Sequence, residues 1–193
     1  QTKSAGSYKN PVVDIAMPDP TVIKAADGYF YVYATESTRN VPIMKSKDLV
    51  EWTYCNTAFT NKTRPRFEPK AGIWAPDINY INGKYVLYYA MSVWGGEQTC
   101  GIGVATADSP QGPFTDHGKM FRSNEIGVQN SIDPSFLQYE GRNYLVWGSF
   151  RGIYVIELTA DGLSIMPGAK KKRIAGTAFE AVYIHKHGDY YYM

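Results

Sequence analysis

The sequence predicts an all-β fold, a β-propeller. Three observations point there. Four stretches repeat one pattern, each stretch reads as two strands joined at a glycine, and aromatics make up 15% of the chain, with sixteen tyrosines among them. Aromatic and β-branched side chains suit the pleated, half-buried surface of a strand.

The stretches are DPTVIKAADGYFYVYAT from Asp19, DINYINGKYVLYYAMS from Asp77, DPSFLQYEGRNYLVWGS from Asp133 and EAVYIHKHGDYYYM from Glu180. Each opens on an acid, alternates apolar and polar residues, turns at Gly28, Gly83, Gly141 or Gly188, and returns through an aromatic-rich run. Asp27-Gly28 and Asn82-Gly83 are strong hairpin signals. Between these pairs lie short apolar strands, VPIMK, GIGVAT and GIYVIEL, which lead through SKDLVEWT, ADSPQGPFT and TADGLSI into another strand. One unit is therefore four strands. The acids lie 58, 56 and 47 residues apart, a period that fits propeller blades. A β-sandwich with chance similarity is the alternative, and the recurrence of the acid speaks against it.

Residues 1–193 read as a single catalytic β-propeller domain with blades at roughly 15–72, 73–128 and 129–175 and the start of a further one at 176–193. A propeller buries its last faces only when its ring closes. The expectation is three complete blades, the beginning of a fourth, and a further segment that completes the ring.

The innermost strand of every blade runs beside the central axis, so the four acids should gather around one funnel. Gathered carboxylates repel one another and are costly unless their charge or proton is used. Taken singly, Asp19 and Asp133 could each serve only an Asx turn before Pro20 and Pro134.

Composition narrows the function further. A net charge of +2 implies no nucleic acid and no anionic membrane as partner. The basic run Lys170 to Arg173 follows the turn Met166-Pro167-Gly168 and reads as a solvated loop. No apolar stretch of about 18 residues exists to span a membrane. The chain begins at Gln1 without an apolar signal core, which suggests a processed or trimmed form. Cys55 and Cys100 lack metal-ligand spacing, and their disulfide state stays open. His117, His185 and His187 lack metal or triad spacing and read as surface residues. The blades carry no Gly-His and Trp-Asp signature of protein-binding propellers.

The motifs PDPTV (18–22), WAPDI (74–78), NSIDPSFL (130–137), WGSFRGI (147–153) and FEAVYI (179–184) resemble those of glycoside hydrolase family 43, the five-bladed propeller glycosidases. NSIDP followed by GSFRGI is most similar to the endo-1,5-α-L-arabinanases. The resemblance implies a secreted hydrolase, extracellular or periplasmic, that degrades arabinan in plant cell-wall polysaccharide. It implies Asp19 as general base, Glu180 as general acid and Asp133 as the carboxylate that tunes the acid. It puts Asn130, Ser149, Phe150 and Gly95 on the substrate cleft. Trp74 is a sugar-stacking platform by the same likeness, and Asp77 sits in its motif. Where the family has Glu-Ala-Pro, this chain has Glu180-Ala181-Val182. The chemistry requires no cofactor. The family's central metal ion, a calcium, would draw its histidine from beyond Met193.

In an inverting glycosidase water attacks the anomeric carbon, so acid and base stand roughly 6.5–9.5 Å apart. Like-charge repulsion from Asp133 is expected to raise Glu180 above the ordinary glutamate value of about 4.3. An endo-acting cleft needs aromatic faces. Trp94, before Gly95-Gly96, is the best placed of these, whereas Trp147 and Tyr183 are as readily core residues. Rival readings are a β-xylosidase or exo-α-L-arabinofuranosidase of the same family, and a catalytically silent propeller that binds glycans.

Overall fold

A computed structural model describes residues 7–193. Its first sheet runs β1 (Thr21–Lys24), β2 (Phe30–Tyr33), β3 (Pro42–Ser46), β4 (Trp52–Thr57) in that spatial order. The second runs β5 (Gly72–Ile81), β6 (Lys84–Ser92), β7 (Gly101–Ala107), β8 (Thr115–Arg122), and a single helical turn, α1 (Ser123–Ile126), follows it. The third consists of β9 (Ser135–Tyr139), β10 (Arg142–Trp147), β11 (Ile153–Leu158) and β12 (Lys172–Ala175). The hairpin β13 (His185–His187) and β14 (Tyr190–Tyr192) comes last. All pairings are antiparallel, as in consecutive propeller blades. The four hairpins anticipated from the repeat are present: β1–β2, β5–β6, β9–β10 and β13–β14.

Local chemistry explains the turns. Asn82 and Gly83 both take positive φ, 48° and 80°. That conformation matches the twist of two strands joined by two residues, and Asn-Gly adopts it most easily.

The core lies in the seams between sheets. Strand β6 shows why the middle sheet is so apolar. Leu87, Tyr89 and Met91 pack toward the first sheet with Tyr31, Tyr33, Ile43 and Phe59. Val86 and Tyr88, the alternate residues, pack toward the third with Leu145, Trp147 and Ile156. Successive side chains of a strand point to opposite faces. A blade held between two others therefore needs an unbroken apolar run, and each such buried side chain contributes about 1.5–3 kcal/mol. The first seam also holds a polar lock. Glu36 accepts from Arg64 at 2.7 and 2.9 Å, from the Ile73 amide of β5 at 2.9 Å and from the Asn40 amide at 2.7 Å. Both side chains are buried, and Arg64 also donates to Asn40 Oδ1 and to the Ala71 carbonyl.

Two expectations change. The acids were expected at one repeated position, but the backbone marks a different register. Asp19, Ala75, Asp133 and Ala181 share positive φ, from 41° to 57°, each just before Pro20, Pro76, Pro134 or Val182. Asp77 lies two residues past that position, inside β5, and Glu180 one before it. The cause in the second blade is a bulge: the ladder passes from Trp74↔Ala90 to Asp77↔Tyr88, leaving one residue extra. Proline has no N–H for the ladder and is tolerated at such bulges. The basic run is exposed as expected, yet Lys172 and Arg173 belong to edge strand β12 rather than to a loop. Cations on an outer strand discourage pairing with another chain.

Candidate active site

At one end of the axis the segments before β1, β9 and β13, with the β5 bulge, surround a cavity of about 1310 Å³. Ten residues expected from the sequence at the site line it: Asp19, Asp133, Glu180, Trp74, Asp77, Trp94, Gly95, Asn130, Ser149 and Phe150. Their approach is a product of the left-handed turns. A non-glycine residue at positive φ is uncommon and strained, and the following proline or valine starts the extended run that leads away. At Asp19 and Asp133 that turn aims a carboxylate at the axis.

Each carboxylate has different surroundings. Asp19 is exposed, and its Oδ2 accepts from Thr35 Oγ1 at 2.6 Å. Thr35 in turn accepts from the Ala75 amide at 2.7 Å, which spans the first seam. Glu180 is exposed and pairs as a β-bridge with Ser149, whose hydroxyl donates to Oε2 at 3.2 Å. Asn130 Nδ2 donates to the Ser149 carbonyl at 3.1 Å. Asp133 is half-buried. Burial, then the Glu180 and Asp19 carboxylates, push its pKa up to about 7 against the pull of the Ala181 amide. The like-charge repulsion acts here on Asp133, the less exposed of the two carboxyls.

Asp77 is different again. Its oxygens accept from the Phe136 amide at 2.7 Å, Asn79 Nδ2 at 2.8 Å and Thr21 Oγ1 at 3.5 Å. It joins three sheets near the axis. Burial raises its pKa to about 6 despite these donors.

The aromatic residues divide clearly. Trp94 is 93% exposed and lies 5.3 Å from Trp74, ring to ring, at 49°. Phe150 and Tyr183 are exposed at the cavity as well. Trp147 is wholly buried instead, wedged between Phe121 and Tyr154, with its indole N–H on Ser131 Oγ at 3.0 Å. Thr35 was not anticipated from the sequence. A threonine at a strand end carries no pattern that betrays a hydrogen bond to a residue sixteen positions earlier. His185 and His187 are exposed on β13. Among the described residues no three His, Cys, Asp or Glu side chains gather to hold a metal ion. No helix there is long and apolar enough to cross a membrane.

The family model described as glycosyl hydrolases family 43 matches residues 8–193. The Bacillus subtilis protein named extracellular endo-α-(1→5)-L-arabinanase 1 is 35% identical over 189 residues, covering 91% of this chain and 57% of that one. The solved structure of native Bacillus subtilis arabinanase superposes with a TM-score of 0.79 at 31% identity, over 92% of this chain and 65% of that one. An exo-1,5-α-L-arabinanase from a bovine ruminal metagenomic library gives 0.77 at 29% identity, over 96% and 66%. The chain spans 57% of the length of the first curated relatives it matches.

Proposed function

Because the chain belongs to glycosyl hydrolases family 43, we propose that the protein is a glycosidase that cleaves α-1,5-linked L-arabinan internally and with inversion. The observation that carries this reading is the meeting of Asp19, Asp133 and Glu180 at one solvent-open cavity, close enough for two of them to raise the third. Carboxylates that repel one another are costly to gather, and such clusters with perturbed pKa values concentrate at functional sites.

In this reading Asp19 is the general base. Thr35 donates to one of its oxygens, which orients the carboxyl and leaves the other for water. Glu180 is the general acid, protonating the leaving oxygen, with Ser149 steering its carboxyl. Asp133 is the modulator: it stands close enough to Glu180 for the two carboxyls to act on one another. The chemistry needs water and carboxylates and no cofactor. A central calcium would draw its ligands from outside the described residues, and nothing in this scheme depends on it.

Trp74, Trp94, Phe150 and Asn130 would hold the neutral sugar chain, aromatic faces against the rings and amides against the hydroxyls. Such a polymer lies outside the cell, so an extracellular or periplasmic protein is implied. The name of the Bacillus subtilis relative supports the extracellular case.

The exo-acting solved neighbour favours a second reading, trimming from chain ends. The test is linear debranched arabinan given to the whole protein. Early loss of viscosity with little free sugar supports internal cleavage. Small sugars released first, at steady viscosity, support end-trimming. Binding without any turnover would overturn both.

A further inference from the structure

The cavity wall between the second and third blades contains a fifth acid, Glu97, that, like Asp77, the proposed chemistry does not use. It follows Trp94-Gly95-Gly96 in the loop after β6. Within itself that loop is held by Gly96 N–H to the Val93 carbonyl, by the Thr99 and Cys100 amides to the Gly96 carbonyl, and by Cys100 Sγ to the Glu97 carbonyl at 3.6 Å. These shape the turn but do not set its angle against the neighbouring blade. Glu97 makes those ties. Its Oε1 accepts from Arg151 Nη2 at 3.0 Å and its Oε2 from Gln129 Nε2 at 2.6 Å, with the Arg151 guanidinium also paired to Oε2 at 2.8 Å. Its carbonyl accepts from the Asn130 amide at 2.7 Å.

These partners are not arbitrary. Gln129 precedes Asn130, and Arg151 follows Phe150, whose carbonyl accepts from Arg151 Nη1 at 3.0 Å. Asn130 holds the Ser149 carbonyl, and Ser149 holds Glu180. One side chain therefore fastens the loop bearing the exposed Trp94 to the two third-blade segments nearest the acid. With both oxygens committed, Glu97 is not a free base.

Resting on the arabinanase reading above, we infer that Glu97 is a positioning residue that sets the preference for long chains over short ones. It holds the Trp94 platform at a fixed distance from Glu180, so a chain that reaches both is bound without first ordering the rim. A substrate that occupies only the point of cleavage gains nothing from the tie. The side chains are a third to two-fifths exposed, and ion pairs so placed add little to global stability. The effect belongs to loop order and to binding of the polymer.

The experiment uses the whole protein with Glu97→Ala, Glu97→Gln and the reversed pair Glu97→Arg with Arg151→Glu. Two readouts are taken: KM and kcat on linear arabinan against a short aryl arabinofuranoside, and hydrogen exchange of amides 93–100. Glu97→Ala is expected to raise KM for the polymer about threefold to tenfold, with kcat on the aryl substrate within about twofold. Exchange in the loop should quicken, Glu97→Gln should fall between, and the reversed pair should restore part of both. Unchanged KM with unchanged exchange overturns the inference. So does an equal loss of kcat on both substrates, which would put Glu97 in the chemistry. If the unmutated protein fails to cleave arabinan, the function reading falls separately. Loop exchange in Glu97→Ala then decides the tie, and exchange that does not quicken overturns it.

Discussion

Ser149 Oγ reaches Glu180 Oε2 at 3.2 Å, across the seam between the third blade and the hairpin that follows it. The hydroxyl is buried while the carboxylate is exposed. The carboxylate is therefore oriented from the protein side and free on the cavity side, the placement that the proposed proton donor requires. Glu180→Gln keeps the shape and the Ser149 contact but has no proton to give. Its kcat on arabinan should fall by about a hundredfold to ten-thousandfold. An aryl arabinoside whose leaving group needs no protonation should lose much less. Equal losses on the two would remove Glu180 from the acid role.

Asp133 should govern the alkaline side of the pH–rate profile. Its charge, once formed, opposes loss of a nearby proton. Asp133→Asn removes that charge, so the basic limb of kcat/KM should move to lower pH. A limb left in place in the variant would show that another group supports the acid.

The same residue bears on stability, together with Asp77. Both carboxyls hold their protons more tightly folded, near 7 and 6, than an unfolded aspartate does at about 3.9. Between pH 4 and the folded values the native state carries more protons than the unfolded one. Stability from these groups is thus fully present below the unfolded value and is lost as pH rises toward 7. Thermal midpoints of Asp133→Asn should fall less than those of the unmodified protein across that window. A parallel decline would contradict the raised value.

The two tryptophans should part company under the same substitution. Trp94→Ala removes an exposed ring and should leave stability within about 0.5 kcal/mol while weakening polymer binding. Trp147→Ala empties a seam and strands Ser131, at about 3–5 kcal/mol. Urea unfolding midpoints read one effect and KM for arabinan the other. Similar destabilisation by both would mean that Trp94 is packed.

Arg64→Ala should be among the costlier single changes outside the cavity. It leaves Glu36 buried with an uncompensated charge, at about 3–5 kcal/mol. Glu36 also receives the Ile73 amide, so the first and second blades lose part of their seam. Denaturant unfolding would register this, and a change below about 1 kcal/mol would argue that water reaches the site.

Much of this protein was written in local pattern. Hairpins at Asp27-Gly28 and Asn82-Gly83, the unbroken apolar run of β6 and the acids near each blade's start follow from turn chemistry and the two-residue period of a strand. Both act between near neighbours, so they can be read along the chain. Four of the five acids that line the cavity, Asp19, Asp77, Asp133 and Glu180, were legible from the repeat. What each acid experiences was not. The bulge at Ala75-Pro76 takes Asp77 out of the repeat and into bonds with Thr21 and Phe136. Asp133 is pushed up because burial there adds to the charge of its neighbours. Thr35 and Glu97 gained their positions only when separate blades met. Burial and Coulomb energy depend on distances through space, and those are set by how the sheets pack around the axis.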